Sequence, residues 1–319
     1  MKKTTKTSGT NEDSPATETL PRQRIQKLLA NAGFASRREI ETWIEAGRIQ
    51  INGRRAGLGD QAGEGDHLTL DDKPITLDAG MLPDRRVLIY HKPTGEMTTR
   101  KDPRGRPTIF DQLPPLKRGR WVAVGRLDYN TSGLMVLTTD GQLAARLMHP
   151  SSEVLREYAV RVWGELPPEA VEKLLKGVRL DDGMARFESV VEGGSSGSNQ
   201  WVHVILREGR YREVRRLFEA VGVTVSRLTR VRYGPLTLPS DLPRGRWREL
   251  RAGEIRGLMD AVGLEPEAPL AEAADKNVLS KKSGSKKTAS KKKAGKKVSG
   301  KIRRRPPPKN PSYKGGRGD

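Results

Sequence analysis

The sequence contains no cysteine among its 319 residues, only four histidines, and few aromatic side chains. The lack of cysteine excludes disulfide frameworks, thiolate metal sites and cysteine nucleophiles. The histidines are far apart in the chain and form no His-x-x-x-His pair, so we expect no metal site. No apolar run approaches the ~18 residues of a membrane span, and polar residues follow the N-terminal Met-Lys-Lys where a signal peptide would be apolar. These absences predict a soluble, cytoplasmic protein.

Acidic residues are also scarce, because 39 Asp and Glu stand against 60 Lys and Arg, a net charge of +21. The excess is uneven: residues 276–319 hold 17 basic residues and one acid, and therefore about +16 of the charge. Such a balance predicts a polyanionic partner, with nucleic acid ahead of an anionic membrane. It argues against an enzyme that acts only on neutral small molecules.

Composition and periodicity divide the chain into five segments. We expect a disordered arm over residues 1–20, a small domain over 21–72, a linker over 73–84, a large domain over 85–263 and a disordered basic tail over 264–319. In the large domain, short strands mix with helices and several connections are short. This favours the α+β class, with a mixed, mainly antiparallel sheet flanked by helices. The Gly/Ser run at residues 193–198 predicts a flexible loop between strands.

The small domain reads as two helices followed by a hairpin. Apolar residues at helical spacing predict a helix over residues 25–32 that Gly33 ends. Ser36 and Glu39 have the spacing of a capping box and predict the start of a second helix. The Asn52-Gly53 pair between apolar residues predicts a β-hairpin.

Residues 24–33, 36–38 and 46–53 together resemble an S4 RNA-binding domain. The resemblance implies that Arg37 and Arg38 bind RNA. They stand at a predicted helix N-terminus, where backbone N–H groups favour phosphate, and guanidinium groups can also stack on unpaired bases. An isolated arginine pair would more often be a solvated helix face, but the match over about 30 residues favours RNA binding.

The densest group of polar residues lies in residues 125–141, where a predicted strand enters a loop that displays Arg126 and Asp128. Catalytic groups often occupy loops held between strands. Asp followed by Asn, Thr, Ser and Gly is also ordinary turn chemistry, so the residues alone leave a plain turn equally open.

The pattern G-R-L-D-x-x-T-x-G-L-x-x-L-T-x-D-G in this stretch resembles the catalytic signature of the RsuA/RluA-type RNA pseudouridine synthases. The resemblance implies that Asp128 is the catalytic carboxylate and that Tyr158 packs on the target base. It also implies that Arg215 pairs with Asp128, although the next residue, Arg216, remains an alternative. Taken singly, Tyr158 would be assigned to a sheet core and Arg215 to a solvated or phosphate-facing surface.

The same resemblance implies RNA-binding roles for Arg126, Lys92 and Leu228, with Leu228 as the apolar floor of the pocket. The reaction breaks the uridine N1–C1′ bond and forms a C5–C1′ bond, so nothing is oxidised and no cofactor is expected. A carboxylate kept ionised by a nearby arginine suits this chemistry. The target uridine must leave its helix or loop to reach the site.

Within that family, residues 90–96, 102–108, 129–133 and 146–151 are most similar to the branch that modifies large-subunit rRNA near the peptidyl-transferase centre. The implied partner is 23S rRNA or a large-subunit assembly particle, and we expect a monomer. Two alternatives remain open: a pseudouridine synthase for 16S rRNA or tRNA, and a non-catalytic S4-type ribosome assembly factor.

Overall fold

The computed structural model describes residues 20–77 and 81–265. The predicted N-terminal arm and basic tail lie outside these residues, apart from residue 20 and residues 264–265. The helices of the described part are α1 Ile25–Ala32, α2 Arg37–Glu45, α3 Gly141–Met148, α4 Pro168–Lys176, α5 Glu213–Ala220 and α6 Ala252–Asp260.

The strands are short in the first part of the chain and longer in the second. They are β1 Gln23–Arg24, β2 Ile49–Ile51, β3 Arg54–Arg55, β4 Gln61–Ala62, β5 Leu68–Leu70, β6 Lys73–Ile75, β7 Val87–Lys92, β8 Val122–Val124, β9 Ser132–Thr138, β10 Arg156–Trp163, β11 Val178–Leu180, β12 Gly183–Ala185, β13 Ser189–Ser196, β14 Asn199–Leu206, β15 Val225–Tyr233, β16 Leu236–Thr237 and β17 Trp247–Glu249.

In the small domain, helices α1 and α2 pack with a four-stranded sheet of order β3-β2-β5-β6. Gly33 ends α1 in the left-handed conformation (φ +98°), and Ser36 Oγ accepts the N–H of Glu39 at 3.1 Å at the start of α2. Asn52 and Gly53 both have positive φ, as a tight hairpin turn requires. The predicted two-helix-plus-hairpin unit is confirmed.

The large domain is built on a sheet of order β13-β14-β10-β15-β9-β7-β17, with β8 added to β9 and β16 to β15. Within it, β9 and β15 are parallel and the other paired strands are antiparallel. The predicted α+β class with a mixed, mainly antiparallel sheet is therefore confirmed. Strands β8 and β15 pair with opposite ends of β9, so the loop from β8 to β9 leads from the pairing of one end to the pairing of the other.

Both faces of this sheet are covered. Alternate residues of β7 point to opposite sides, since Leu88 and Tyr90 join one apolar core and Val87 and Ile89 join the other. Helices α4 and α5 contribute to the first core, and α3 and α6 to the second. Because it is covered on both faces, β9 is buried along its whole length, which gives the loop before it a rigid anchor.

The flexible loop predicted at residues 193–198 is wrong. Strand β13 continues to residue 196 and pairs with β14, which leaves a tight turn at residues 197–198. The register shifts between Glu192 and Ser195, where Gly193 and Gly194 lie. Two glycines allow such a bulge in an edge strand, so the glycine signal marked a bulge instead of a loop.

Candidate active site

The loop from Gly125 to Thr131 is held by its backbone carbonyl groups. Five consecutive carbonyl oxygens, those of residues 127–131, each accept a hydrogen bond. The donors are Thr98 Oγ1 to Leu127 (2.9 Å), Lys92 Nζ to Asp128 (3.1 Å), Gly95 N to Tyr129 (2.9 Å), Arg215 Nη2 to Asn130 (3.0 Å) and Lys92 Nζ to Thr131 (2.9 Å). The loop is therefore fixed without using the Asp128 side chain.

The Asp128 side chain remains free for chemistry. It lines a cleft of about 350 Å³, and no hydrogen bond or salt bridge joins its carboxylate to the part of the chain that the structure describes. The cleft is also lined by Arg126, Tyr158 and Leu228, and by Thr131, Met148, Arg156, Leu206, Arg210, Tyr211, Glu213, Arg230 and Tyr233. The structure thus brings four of the predicted site residues together.

Tyr158 and Leu228 come from adjacent strands. Tyr158 of β10 is opposite Arg230 of β15, and Leu228 is opposite Val160, so the two side chains are diagonal neighbours. Both are largely buried, with 8% and 5% of their surface exposed, and both belong to the same apolar core. An aromatic ring and an aliphatic side chain beside a carboxylate suit a flat heterocyclic base.

Arg215, near the start of α5, is hydrogen-bonded to the loop that carries Asp128. Its Nη2 donates to the carbonyl of Asn130 and its Nη1 donates to the carbonyl of Val225, both at 3.0 Å. Burial, and then the charge of Arg212, lower the pKa of this guanidinium, and the negative charge of Asp128 opposes that lowering. The predicted direct ion pair is not formed: among the described residues, no salt bridge joins Arg215 to Asp128. The Arg215 guanidinium donates to two carbonyl groups instead of to the Asp128 carboxylate. The charges of Arg215 and Asp128 therefore interact through space, without a direct contact.

Arg216, the alternative to Arg215, points to a different partner. Its guanidinium forms a two-point contact with Asp182, at 3.1 and 2.6 Å, outside the cleft. The two arginines therefore have different partners: Arg215 is hydrogen-bonded to the loop that carries Asp128, and Arg216 forms a salt bridge with the turn between β11 and β12.

Lys92, predicted as an RNA contact, is fully buried. Its ammonium group donates to the carbonyl oxygens of Pro93, Asp128 and Thr131 at 2.9–3.1 Å. Burial lowers its pKa to about 8, although the charges of Glu96 and Asp128 oppose this. The RNA-binding prediction for Lys92 is corrected, because a lysine covered by protein on all sides supports the loop and offers no surface to a ligand.

The remaining predicted RNA contacts are exposed. Arg126 lies at the edge of the cleft, while Arg37 and Arg38 are exposed in the first turn of α2 and do not line the cleft. The structure thus places Arg126 on the loop that carries Asp128, and Arg37 and Arg38 on the small domain.

Sequence reasoning missed Glu213, which lines the cleft with only 3% of its surface exposed. Its Oε2 accepts the backbone N–H of Arg210 at 2.9 Å, and burial raises its pKa. Buried polar atoms without a hydrogen-bond partner in the described chain include Glu213 Oε1 and Thr131 Oγ1, both of residues that line the cleft, and Arg215 Nε. Such groups are rare in folded proteins and often belong to binding sites. The unusual Glu-Val-Arg-Arg run at residues 213–216 was the available signal.

Two kinds of feature are absent from the described residues. Residues 20–77 and 81–265 contain no cluster of three or more His, Asp or Glu side chains arranged to hold a metal ion. They also contain no helix with the length and apolarity needed to cross a bilayer.

Comparisons with known proteins identify the family of each domain. Residues 86–220 match the family model described as RNA pseudouridylate synthase, and residues 23–68 match the S4 domain. The ribosomal large subunit pseudouridine synthase B of Escherichia coli (strain K12) is 52% identical over 257 residues, which cover 80% of this chain and 88% of that protein. The same-named protein of Pseudomonas aeruginosa is 52% identical over 258 residues, which cover 80% and 67%.

A solved structure gives the same result. The crystal structure of a pseudouridylate synthase superposes with a TM-score of 0.52 at 26% identity, covering 74% of this chain and 99% of that one. The sequence matches extend through both domains and include the loop that carries Asp128. The chain therefore belongs to the RNA pseudouridylate synthase family.

Proposed function

We propose that this protein converts a specific uridine of 23S rRNA, near the peptidyl-transferase centre, to pseudouridine. The observation that carries the proposal is the free carboxylate of Asp128 in a cleft that also holds Tyr158, on a loop fixed through five carbonyl groups. The names of the two relatives support a target in the large ribosomal subunit.

In this proposal, each part of the site has a distinct task. Asp128 supplies the carboxylate that opens the N1–C1′ bond, and a preorganised loop keeps it in place without reorganisation. Tyr158 stacks on the detached uracil, because a ring face tolerates rotation of the base better than directional hydrogen bonds do. The C5–C1′ bond then forms and C5 loses its proton, so no electron acceptor is needed.

The rest of the chain serves RNA binding. We propose that Arg126 contacts the RNA beside the target uridine and that the S4 domain, through Arg37 and Arg38, binds a neighbouring part of the rRNA. The basic tail adds affinity through phosphate contacts without sequence choice. We further propose that the protein is a cytoplasmic monomer that uses no cofactor and acts on 23S rRNA or a large-subunit assembly particle. We also propose that its five segments, an N-terminal arm, the S4 domain, a linker, the catalytic domain and a basic tail, end at residues 20, 72, 84, 263 and 319.

The test uses 23S rRNA labelled with tritium at C5 of uridine, because forming the C5–C1′ bond releases that label. The native protein should release tritium, and Asp128→Ala should release none while binding the RNA with similar affinity. Tritium release by the Asp128→Ala variant would overturn the assignment of the carboxylate.

The target is identified by carbodiimide mapping of 16S rRNA, 23S rRNA and tRNA from a strain that lacks the gene. Loss of one pseudouridine in 23S rRNA is expected, and loss in 16S rRNA or tRNA would reassign the substrate. If Asp128→Asn restored ribosome assembly in that strain as well as the native protein does, a non-catalytic assembly factor would be the better description.

A further inference from the structure

The S4 domain and the catalytic domain meet at a close backbone contact. The N–H of Gly119 donates to the carbonyl of Ala32 at 3.1 Å, and Arg120 Nη1 donates to the carbonyl of Ala35 at 3.0 Å. Gly33 packs so tightly there that a Cβ atom on it would lie 2.7 Å from the Gly119 carbonyl oxygen. The turn between α1 and α2 therefore rests directly on residues 117–121 of the catalytic domain.

This contact brings three guanidinium groups into succession. Arg37 begins α2, Arg120 is half-buried at the contact, and Arg100 lies over the ring of Phe110 at 4.5 Å while donating to the carbonyl of Trp121. Burial, and then the charge of Arg37, lower the pKa of Arg120, which Glu39 only partly offsets. Burial, and then the charge of Arg120, likewise lower the pKa of Arg100. Arg120 is thus close enough to both Arg37 and Arg100 for their positive charges to repel its own.

None of these three arginines forms a salt bridge with any residue in the described ranges. Many other arginines do, as in Arg48 with Asp71, Arg216 with Asp182 and Arg248 with Glu254. Four more exposed basic residues lie in the same two loops: Lys101, Arg104, Lys117 and Arg118. Like charges held together, with Glu39 as a partial counter-charge and no salt bridge to any of the three arginines among the described residues, favour a bound polyanion, since it removes their repulsion.

Arg100, the last of the three arginines, is close in the chain to a residue that is hydrogen-bonded to the loop that carries Asp128. Thr98, two residues before Arg100, donates through Oγ1 to the carbonyl of Leu127 and accepts the Leu127 N–H, and Leu127 precedes Asp128. Arg37 thus lies on the S4 domain, and Arg100 lies two residues from Thr98, which is hydrogen-bonded to the residue before Asp128.

We propose that Arg37, Arg120 and Arg100 form a phosphate track that binds consecutive backbone phosphates of the substrate RNA between the S4 domain and the cleft. This inference rests on the proposed function, because it takes RNA as the substrate. Guanidinium groups bind phosphate oxygens in two-point contacts and carry no sequence information. The track fixes the spacing between the RNA bound at α2 and the uridine that reaches Asp128.

The test measures the affinity of the full chain for a labelled 23S rRNA fragment over a range of KCl concentrations. The Asp128→Asn background prevents turnover during the measurement. Arg120→Gln and Arg100→Gln should each reduce the slope of log K against log [KCl] by about one, the value expected for one lost phosphate contact, and weaken binding about three- to tenfold. Arg186→Gln is the matched control, because Arg186 is exposed and has no salt-bridge partner among the described residues. It also lies away from the proposed track, next to Phe187, whose N–H donates to the carbonyl of Leu174 in α4.

Each outcome decides the matter. Reduced slopes for both variants with an unchanged control support the track, and unchanged slopes for both overturn it. A reduced slope for Arg120→Gln alone would also overturn it, because of the two substituted arginines Arg120 is the one hydrogen-bonded to the S4 domain, so its loss alone would report a disturbed domain contact. The salt slope reports phosphate contacts with any RNA, so this result is separate from the identity of the modified uridine, which carbodiimide mapping reports.

Discussion

The ammonium group of Lys92 donates a hydrogen bond to the carbonyl oxygen of Asp128 at 3.1 Å, from a position with no solvent exposure. The same group also holds Thr131, so one buried cation ties both ends of the segment from Asp128 to Thr131. The carboxylate of Asp128, which we propose to be catalytic, is therefore positioned through its own backbone, while its side chain has no hydrogen-bond or salt-bridge partner in the described chain.

Replacing Lys92 with Met should destabilise the protein and slow the reaction. Met keeps most of the aliphatic volume but leaves the carbonyl groups of Pro93, Asp128 and Thr131 without this donor. Because buried acceptors left unpaired cost free energy, we expect a loss of about 3 kcal/mol in the free energy of unfolding. Urea denaturation measures that loss, and single-turnover tritium release measures the rate. Lys173→Met, on the exposed face of α4, is the control, and equal behaviour of both variants would contradict the supporting role.

The stability of the native protein relative to Lys92→Met should increase as the pH rises above 8. Burial lowers the pKa of Lys92 to about 8, from 10.5 for a free lysine, so between these values the unfolded chain binds more protons at this position than the folded chain does. Stability then increases with pH, by at most about 1.4 kcal/mol per pH unit. Below pH 8 both states are protonated and the difference should be constant. Urea denaturation of both proteins from pH 7 to 10 checks this, and a difference that does not change with pH would contradict the lowered pKa.

Arg215 and Arg216 offer a matched pair of substitutions. Arg215→Lys should lower the rate at saturating RNA at least about a hundredfold, because a single ammonium group cannot replace a planar guanidinium that bridges the carbonyl groups of Asn130 and Val225. Arg216→Lys should retain nearly full activity, since it changes only a partly exposed pair with Asp182. Single-turnover kinetics of the two variants decides between them. A larger loss for Arg216→Lys would reverse the assignment of the loop-holding arginine.

Local features of the sequence predicted much of this fold. The first helix ends at Gly33 as expected, and Ser36 accepts the N–H of Glu39 as the capping-box spacing implies. Both depend on residues within a few positions of one another, where turn and cap chemistry is specific. Asp128, Tyr158 and Leu228 were found through the resemblance of whole motifs, and the structure places them in one cleft.

What the sequence could not reveal depends on contacts between distant residues. Lys92 looks like a surface cation in sequence, but the pairing of β7 with β9 buries it beneath a loop that begins more than 30 residues later. The hydrogen bond from Arg215 to the Asn130 carbonyl likewise depends on how α5 packs. The sequence therefore predicted a direct ion pair with Asp128, whereas the structure shows Arg215 bound to the backbone of the same loop. Burial and side-chain direction in these cases are set by tertiary packing, which residue type alone does not encode.

Gly133 and Gly125, both in the motif that contains Asp128, differ in why a glycine is needed: both have positive φ, but only Gly133 is also closely approached by another strand. Both have positive φ, +114° and +77°, so either alanine variant carries backbone strain of about 1–2 kcal/mol. A Cβ atom on Gly133 would also lie 2.2 Å from the carbonyl oxygen of Arg230, where β9 and β15 run in parallel, whereas a Cβ atom on Gly125 would have no atom within 4 Å.

We therefore expect Gly133→Ala to unfold the protein or to lower its free energy of unfolding by more than about 3 kcal/mol, because backbone atoms of a central strand cannot move aside. Gly125→Ala should lose only the strain. Guanidinium chloride denaturation of both variants measures the difference. Equal losses would mean that the close approach of β9 to β15 imposes no constraint beyond the positive φ, and Gly133, inside β9, would then be explained by its backbone conformation alone.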